Sequence, residues 1–291
     1  MTADGELVRA DREHETDLFW ALRGGGGNFG VVTAIEFALH PVRAVYAGAL
    51  LWPVALAAPV VQRYREWVET VPDELTSLVR LLNVPPLPDI PQPLRGHSFV
   101  AVEAAYAGPE EDAVALLRPI TEIAEPSIST MCRMRPSELT TVHMDPKQPV
   151  PGLLHHTMLR EMTAETVDAL LEVAGPGSGT PLVSVELRHL GGAVAARKAG
   201  SGALAALDGR FAVTGVGIPT SPEVATAVDR ELDVLVETLG PWSTGGNFLN
   251  FADRPTDTET AFPADTYRRL ARIREAVDPA DLFRANHPIR S

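Results

Sequence analysis

Glu186 and Arg188 stand two residues apart in Val183-Ser184-Val185-Glu186-Leu187-Arg188-His189-Leu190, a run closed by Gly191-Gly192. A strand's period of two puts Ser184, Glu186, Arg188 and Leu190 on one face and Val183, Val185, Leu187 and His189 on the other. A carboxylate so placed could accept a proton from a substrate, and a guanidinium could hold an anionic one. The same spacing equally makes an ion pair within one strand on an exposed face. The residues alone leave both readings open.

A second candidate is Gly24-Gly25-Gly26-Gly27-Asn28-Phe29-Gly30. Four consecutive glycines lose much conformational entropy on folding, so they suit a place where backbone must approach something closely. Their N–H groups, with Asn28 beside them, could cradle a phosphate or an aromatic cofactor. The plainer alternative is a helix C-cap followed by a loose turn. Third is Asn247-Phe248-Leu249-Asn250-Phe251, where alternation sets Asn247, Leu249 and Phe251 against Phe248 and Asn250. Its alternative is a core strand in which Asn250 satisfies backbone groups.

Other chemistries find little support. His155 and His156 are adjacent, so on a strand they point to opposite faces and cannot chelate one metal together. No Cys or acidic partner lies at ligand spacing, and no metal site is expected. His143 and Asp145 read as loop residues. There is no Gly-x-Ser-x-Gly elbow, no P-loop, and no dinucleotide fingerprint, since Gly24 to Gly27 lead toward a strand rather than a helix. Cys132 is the single cysteine, which excludes an intrachain disulfide. Its alternating run, 127–135, makes it a buried structural thiol.

Positioning these groups falls to a series of strands and helices. Residues 13–22 read as a short helix ended by the glycines. Residues 29–40 alternate cleanly, Val31, Thr33, Ile35, Phe37 and Leu39 against Val32, Ala34, Glu36, Ala38 and His40, which predicts a strand that Pro41 ends. Beyond this boundary, strands are predicted at 45–52, 75–84, 97–106, 127–134, 182–190 and 211–218. Helices are predicted at 57–70, 109–123, 163–174 and 222–239. Residues 85–93 carry five prolines and must be a loop. Thr163 is the N-cap of its helix, with Thr166 at N3 in place of the acid of a full capping box. The pattern predicts an α+β fold, a sheet with helices on one face.

Composition narrows the partners. The chain has 291 residues, 45% of them hydrophobic and 22% charged, with 38 acids against 25 bases. A net charge of −13 with no basic cluster argues against nucleic acid and anionic membranes. No 18-residue apolar run and no signal-peptide core occur, so a cytoplasmic product is expected if Met1 is the true start.

Wording at both ends carries a resemblance. Residues 17–33, DLFWALRGGGGNFGVVT, together with Asn247 to Phe251, Tyr267-Arg268-Arg269-Leu270 and 278–286, DPADLFRAN, resemble the berberine bridge enzyme-like family of FAD-linked oxidases. The resemblance implies the C-terminal part of a PCMH-type FAD-binding domain at 1–42. An antiparallel-sheet substrate domain covered by helices would follow at 43–240, and a segment returning to the flavin domain at 241–291. It implies FAD as cofactor, touched by the backbone of Gly25, Gly26, Gly27, Asn28, Phe29, Gly30, Val31 and Val32 and lined by Phe248 and Asn250. Phe251 falls where many members carry a tyrosine, and Ala212 where plant members carry a glutamate base. Glu186 and Arg188 would enter the pocket as catalytic residues. The activity implied is oxidation of a small organic substrate, an alcohol, sugar or alkaloid, by hydride transfer to flavin.

The family's Arg-Ser-Gly-Gly-His-Ser-type pyrophosphate loop does not occur in this sequence, so the chain reads as N-terminally shortened. A second reading follows: a noncatalytic fragment or subunit without FAD. Its partner would be a missing N-terminal segment or another chain, meeting an apolar patch around Phe29, Val31 and Ile35.

Overall fold

The computed structural model describes residues 1–88, 90–146 and 148–290. The chain divides into two units, one made of Met1–His40, Ala193–Asp208 and Gly245–Ser291, the other of Pro41–Gly192 and Gly209–Thr244. The first unit opens with helix α1 (Thr16–Leu22). It begins later than residue 13 because Glu15 sits in the left-handed region, at φ 43° and ψ 50°, where a helix cannot continue backward.

An eight-stranded antiparallel sheet forms the second unit. Along the chain come β1 (Val45–Pro53), α2 (Ala57–Trp67), β2 (Leu75–Asn83), β3 (Ser98–Tyr106), α3 (Glu110–Thr121), β4 (Ile128–Ser129) and β5 (Cys132–Met134). There follow β6 (Leu153–Leu159), α4 (Ala164–Ala174), β7 (Ser184–His189), the single turn α5 (Gly192–Ala195), β8 (Phe211–Gly217) and α6 (Pro222–Thr238). In space the strands run β4-β1-β3-β2-β7-β8-β6, with β5 also on β1.

Alternation sorts this sheet into two faces. Leu50, Trp52, Val79, Leu81, Val100, Val102, Val185, Leu187 and Val213 point to one side and pack with residues of α2, α4 and α6 into the main core. Polar atoms drawn into that core are satisfied: Trp52 Nε1 donates to Ala124 O at 2.8 Å, and Tyr64 OH lies 3.1 Å from Ser77 Oγ. Helix α6 seats so closely on β8 that a Cβ on Gly217 would stand 2.3 Å from Val228 Cγ1. At α4, Thr163 Oγ1 accepts from Thr166 N at 3.2 Å while Thr163 N donates to Thr166 Oγ1 at 3.0 Å. The reciprocal box is complete after all, with a hydroxyl serving where an acid is usual.

Several expectations give way. The strand predicted at 127–134 breaks into β4 and β5 at Thr130-Met131, where Thr130 Oγ1 accepts from Ala49 N at 2.9 Å. Cys132 is exposed rather than buried, because β5 is a three-residue strand at the sheet's margin. Residues 29–40 form no strand: backbone can extend there, but among the described residues no strand pairs with it. Val31, Val32, Ile35, Phe37 and Leu39 are exposed, to 83% at Leu39. Phe29 is the exception and is fully buried. The proline-rich loop is a loop as expected, except that Asp89 lies outside the described residues.

Two elements went unread. β6 carries His155-His156-Thr157 at its centre, which hides its alternation. Helix α7 (Ala264–Val277), in the first unit, is rich in arginine and buries only a stripe of Tyr267, Leu270 and Ile273. That stripe packs with Leu18, Ala21, Phe29 and Ile289 into the first unit's own core. Outside the stripe, Arg269 pairs with Asp17 at 2.7 Å and lies 4.0 Å over the Trp20 ring. Among the described residues no helix is long and apolar enough to cross a membrane.

Candidate functional site

The sheet face opposite the helices carries a row of polar side chains. Register sets Arg80 of β2 beside Glu186 of β7, Glu186 beside Thr214 of β8, and Thr214 beside His156 of β6. Glu103 of β3 lies opposite Leu78, so its side chain shares this face. Arg80, Glu103 and Glu186 are each at most 5% exposed. Buried charges persist only when paired, and these are. Arg188 Nε donates to Glu186 Oε1 at 2.7 Å, and Arg80 Nη2 lies 2.6 Å from Glu103 Oε1.

The fifth member is His143. It follows a short turn at Pro136–Thr141 and meets the row from above the sheet: Nδ1 lies 2.8 Å from Glu103 Oε2 and Nε2 3.2 Å from Glu186 Oε2. Arg80 Nη2 donates to His143 O at 3.1 Å, and Arg80 Nη1 lies 3.2 Å from Nε2. Burial alone would push the imidazole's pKa down, but hydrogen bonds donated by its ring to the carboxylates of Glu103 and Glu186 outweigh it and Arg80's opposing charge, raising it to about 9. Burial likewise acts to raise Glu186, yet His143 and Arg188 hold its carboxyl below the usual range. Glu186 is therefore ionised at neutral pH.

Both sequence readings of Glu186 and Arg188 meet here. They do form an ion pair within one strand, but on a face where Glu186 is buried, not exposed. His143 is the loop residue its sequence suggests, yet its ring joins the row, and Arg80 and Glu103 do not stand out in the sequence reading. A signal existed for those two: each is the lone charge in a strand of otherwise apolar or small residues, LTSLVRLLN and SFVAVEAAY. His155 and His156 point to opposite faces, His155 lying 3.5 Å from Asp233 of α6. Among the described residues no group of three or more His, Cys, Asp or Glu could hold a metal ion.

In the first unit, Gly26–Asn28 make a tight 3-10 turn. Gly25 is there for packing, since a Cβ would stand 2.5 Å from both Ala21 O and Phe29 Cε2. The buried Asn28 side chain is fully engaged: Nδ2 donates to Gly25 O at 3.0 Å and His287 O at 3.1 Å, while Oδ1 accepts from Ile289 N at 2.9 Å. Asn28 and the buried Phe29 therefore offer a ligand no side chain, and the turn's free surface is the backbone of Gly26 and Gly27. Gly30, Val31 and Val32 continue it as exposed or half-exposed backbone. Residues 247–251 do not alternate, because Leu249–Phe251 is a 3-10 turn. Phe248 and Phe251 stack edge-on at 5.2 Å, on one side instead of two, and Asn250 is exposed. A bare glycine backbone, anchored from behind by Asn28, fits the face of a flat ring.

A family model described as berberine and berberine like matches residues 247–290. An FAD-linked oxidoreductase of Gibberella zeae is 24% identical over 302 residues, covering 99% of this chain and 55% of that protein. The (R)-6-hydroxynicotine oxidase of Paenarthrobacter nicotinovorans is 26% identical over 306 residues, covering 99% of this chain and 64% of that protein. Residues 247–290 thus match the berberine and berberine like segment, and nearly the whole chain is similar to FAD-linked oxidoreductases. The structure of Physcomitrella patens BBE-like 1 shows the shared fold, with a TM-score of 0.79 at 17% identity, over 99% of this chain and 63% of that one. The chain spans from about half to two thirds of the length of these relatives. The matched residues all lie in the first unit, where Asp278 accepts from Leu282 N and Phe283 N at 2.8 and 2.9 Å.

Proposed function

We propose that this chain is part of an FAD-linked oxidoreductase acting on a small organic substrate of alcohol, sugar or alkaloid type. The observation that carries the reading is the buried, ionised Glu186 on the helix-free sheet face, tied to Arg188. FAD, when bound, supplies the hydride acceptor. The chain's own residues would do the rest. The backbone of Gly25, Gly26, Gly27, Asn28, Phe29, Gly30, Val31 and Val32, with Phe248 and Asn250, would hold the cofactor. Glu186 would accept the substrate's proton, and Arg188 would favour a substrate that becomes anionic as that proton leaves. Thr214, buried beside Glu186 with a hydroxyl that has no partner among the described residues, would hydrogen-bond the substrate and orient it.

A second reading is favoured by one observation, the exposed apolar segment 31–39. A segment that exposes Val31, Ile35, Phe37 and Leu39 gains a strand's hydrogen bonds and covers that face only from a neighbouring strand. That neighbour would be an N-terminal segment or a partner chain, without which the protein binds no flavin. An absorbance spectrum of the 291-residue protein, taken after incubation with FAD and desalting, separates the two. Flavin bands at about one FAD per chain, bleached by a substrate from a panel of alcohols, sugars and cyclic amines, are the expected result. A colourless protein would overturn autonomous flavin binding and support the second reading.

A further inference from the structure

His143 has two ring nitrogens and three partners. Nδ1 serves Glu103 of β3, while Nε2 stands 3.2 Å from both Glu186 Oε2 of β7 and Arg80 Nη1 of β2. One nitrogen cannot satisfy both. Protonated, Nε2 donates to Glu186 and repels Arg80; unprotonated, it accepts from Arg80 and gives Glu186 nothing. The other charges facing this cluster are Arg188, bonded to Glu186 from within β7, and Asp145 of His143's own segment, whose Oδ1 lies 3.7 Å from Nε2.

We propose that His143 is a positioning residue which switches Glu186 between two states by the proton on Nε2. In the first state the imidazolium bridges Glu103 and Glu186 and pins its segment across the sheet. In the second the neutral ring keeps Glu103, hands Nε2 to Arg80, and frees one oxygen of Glu186. Met144 supports the pinning, since it packs against the small cluster of Ala49, Leu51, Phe99 and Ala101 on the same face. The raised pKa of about 9 puts the bridged state at neutral pH. Sign follows from the shift: stabilisation is complete below the ordinary histidine value of roughly 6.5 and is lost as pH climbs through about 9. Glu186, relieved of one cationic donor, is the stronger base above that pH.

The test is a ¹⁵N titration of the eight histidines in the full chain from pH 6 to 10.5, with His143 assigned through His143→Gln. Both His143 nitrogens should be protonated at pH 7 and Nε2 should titrate near 9. Glu186→Gln should lower that midpoint by about one unit. Amide exchange over 138–146, corrected for its intrinsic pH dependence, should quicken about tenfold across the same transition. An Nε2 already unprotonated at pH 7, a midpoint unmoved by Glu186→Gln, or exchange blind to the transition would overturn the proposal. Should a variant misfold, the unmodified chain's titration still decides through the first of these. The inference rests on the oxidoreductase reading only in naming Glu186 as proton acceptor. Since the titration needs no FAD, a colourless protein leaves the switch standing, and a failed switch leaves flavin binding untouched.

Discussion

Replacing Arg80 with Met should cost the sheet unit about 3–5 kcal/mol of unfolding free energy at pH 7. The Met fills most of the same space but leaves two buried carboxylates, Glu103 and Glu186, sharing the single imidazolium of His143 within this bridge. Urea unfolding followed by the fluorescence of Trp52 and Trp67, both in that unit's core, measures it. The deficit should shrink in acid. Glu186 is held below its ordinary pKa in the native protein, so it stabilises the fold above that value and stops doing so as pH falls. Protonating Glu186 removes one of the two negative charges that share the imidazolium, which relieves the penalty as pH drops. Adding Glu103→Leu should recover much of the loss at pH 7, because removing both members of a buried pair is far less damaging than removing one. A single variant within about 0.5 kcal/mol of the parent would sink this account of the cluster.

Asn28→Ala should cost the other unit roughly 2–4 kcal/mol. Three backbone groups lose their partner at once, Gly25 O, His287 O and Ile289 N. Ile289, buried in that unit's core, then lacks the bond that holds the C-terminal strand of chain in place. Hydrogen exchange in the peptide around 286–290 should quicken well before the rest of the unit opens. Asn28→Asp should be no better near pH 7, since a carboxylate cannot donate to two carbonyls, and should improve as it gains a proton in acid. Unchanged exchange at Ile289 in both variants would show that the tether is incidental.

Much of the fold was legible because its strands and helices speak in period. β1, β2, β3, β7 and β8 alternate within a residue or two of their predicted limits, and α3, α4 and α6 begin at proline, threonine or serine signals. Motif wording carried the family resemblance. What failed has one cause. Segment 29–40 alternates as well as any strand in the chain, yet a strand is a relation between two segments, and its alternation says nothing about whether a partner is present. Cys132 was misjudged for the same reason, its strand lying where the sheet stops.

The candidate site divides along the same line. Chain order alone determined that Glu186 and Arg188 share a face and that the histidine pair could not act together; that Asn28 closes the glycine turn came from the structure. Only tertiary structure decided that His143, forty residues from Glu103, joins it to Glu186 on a third element. Local pattern records which way a side chain leaves its own strand or helix. Coulomb attraction and desolvation act across space, so of the two charges that hold Glu186 ionised, Arg188 comes from its own strand, while His143 arrives from a distant segment only when the chain is folded.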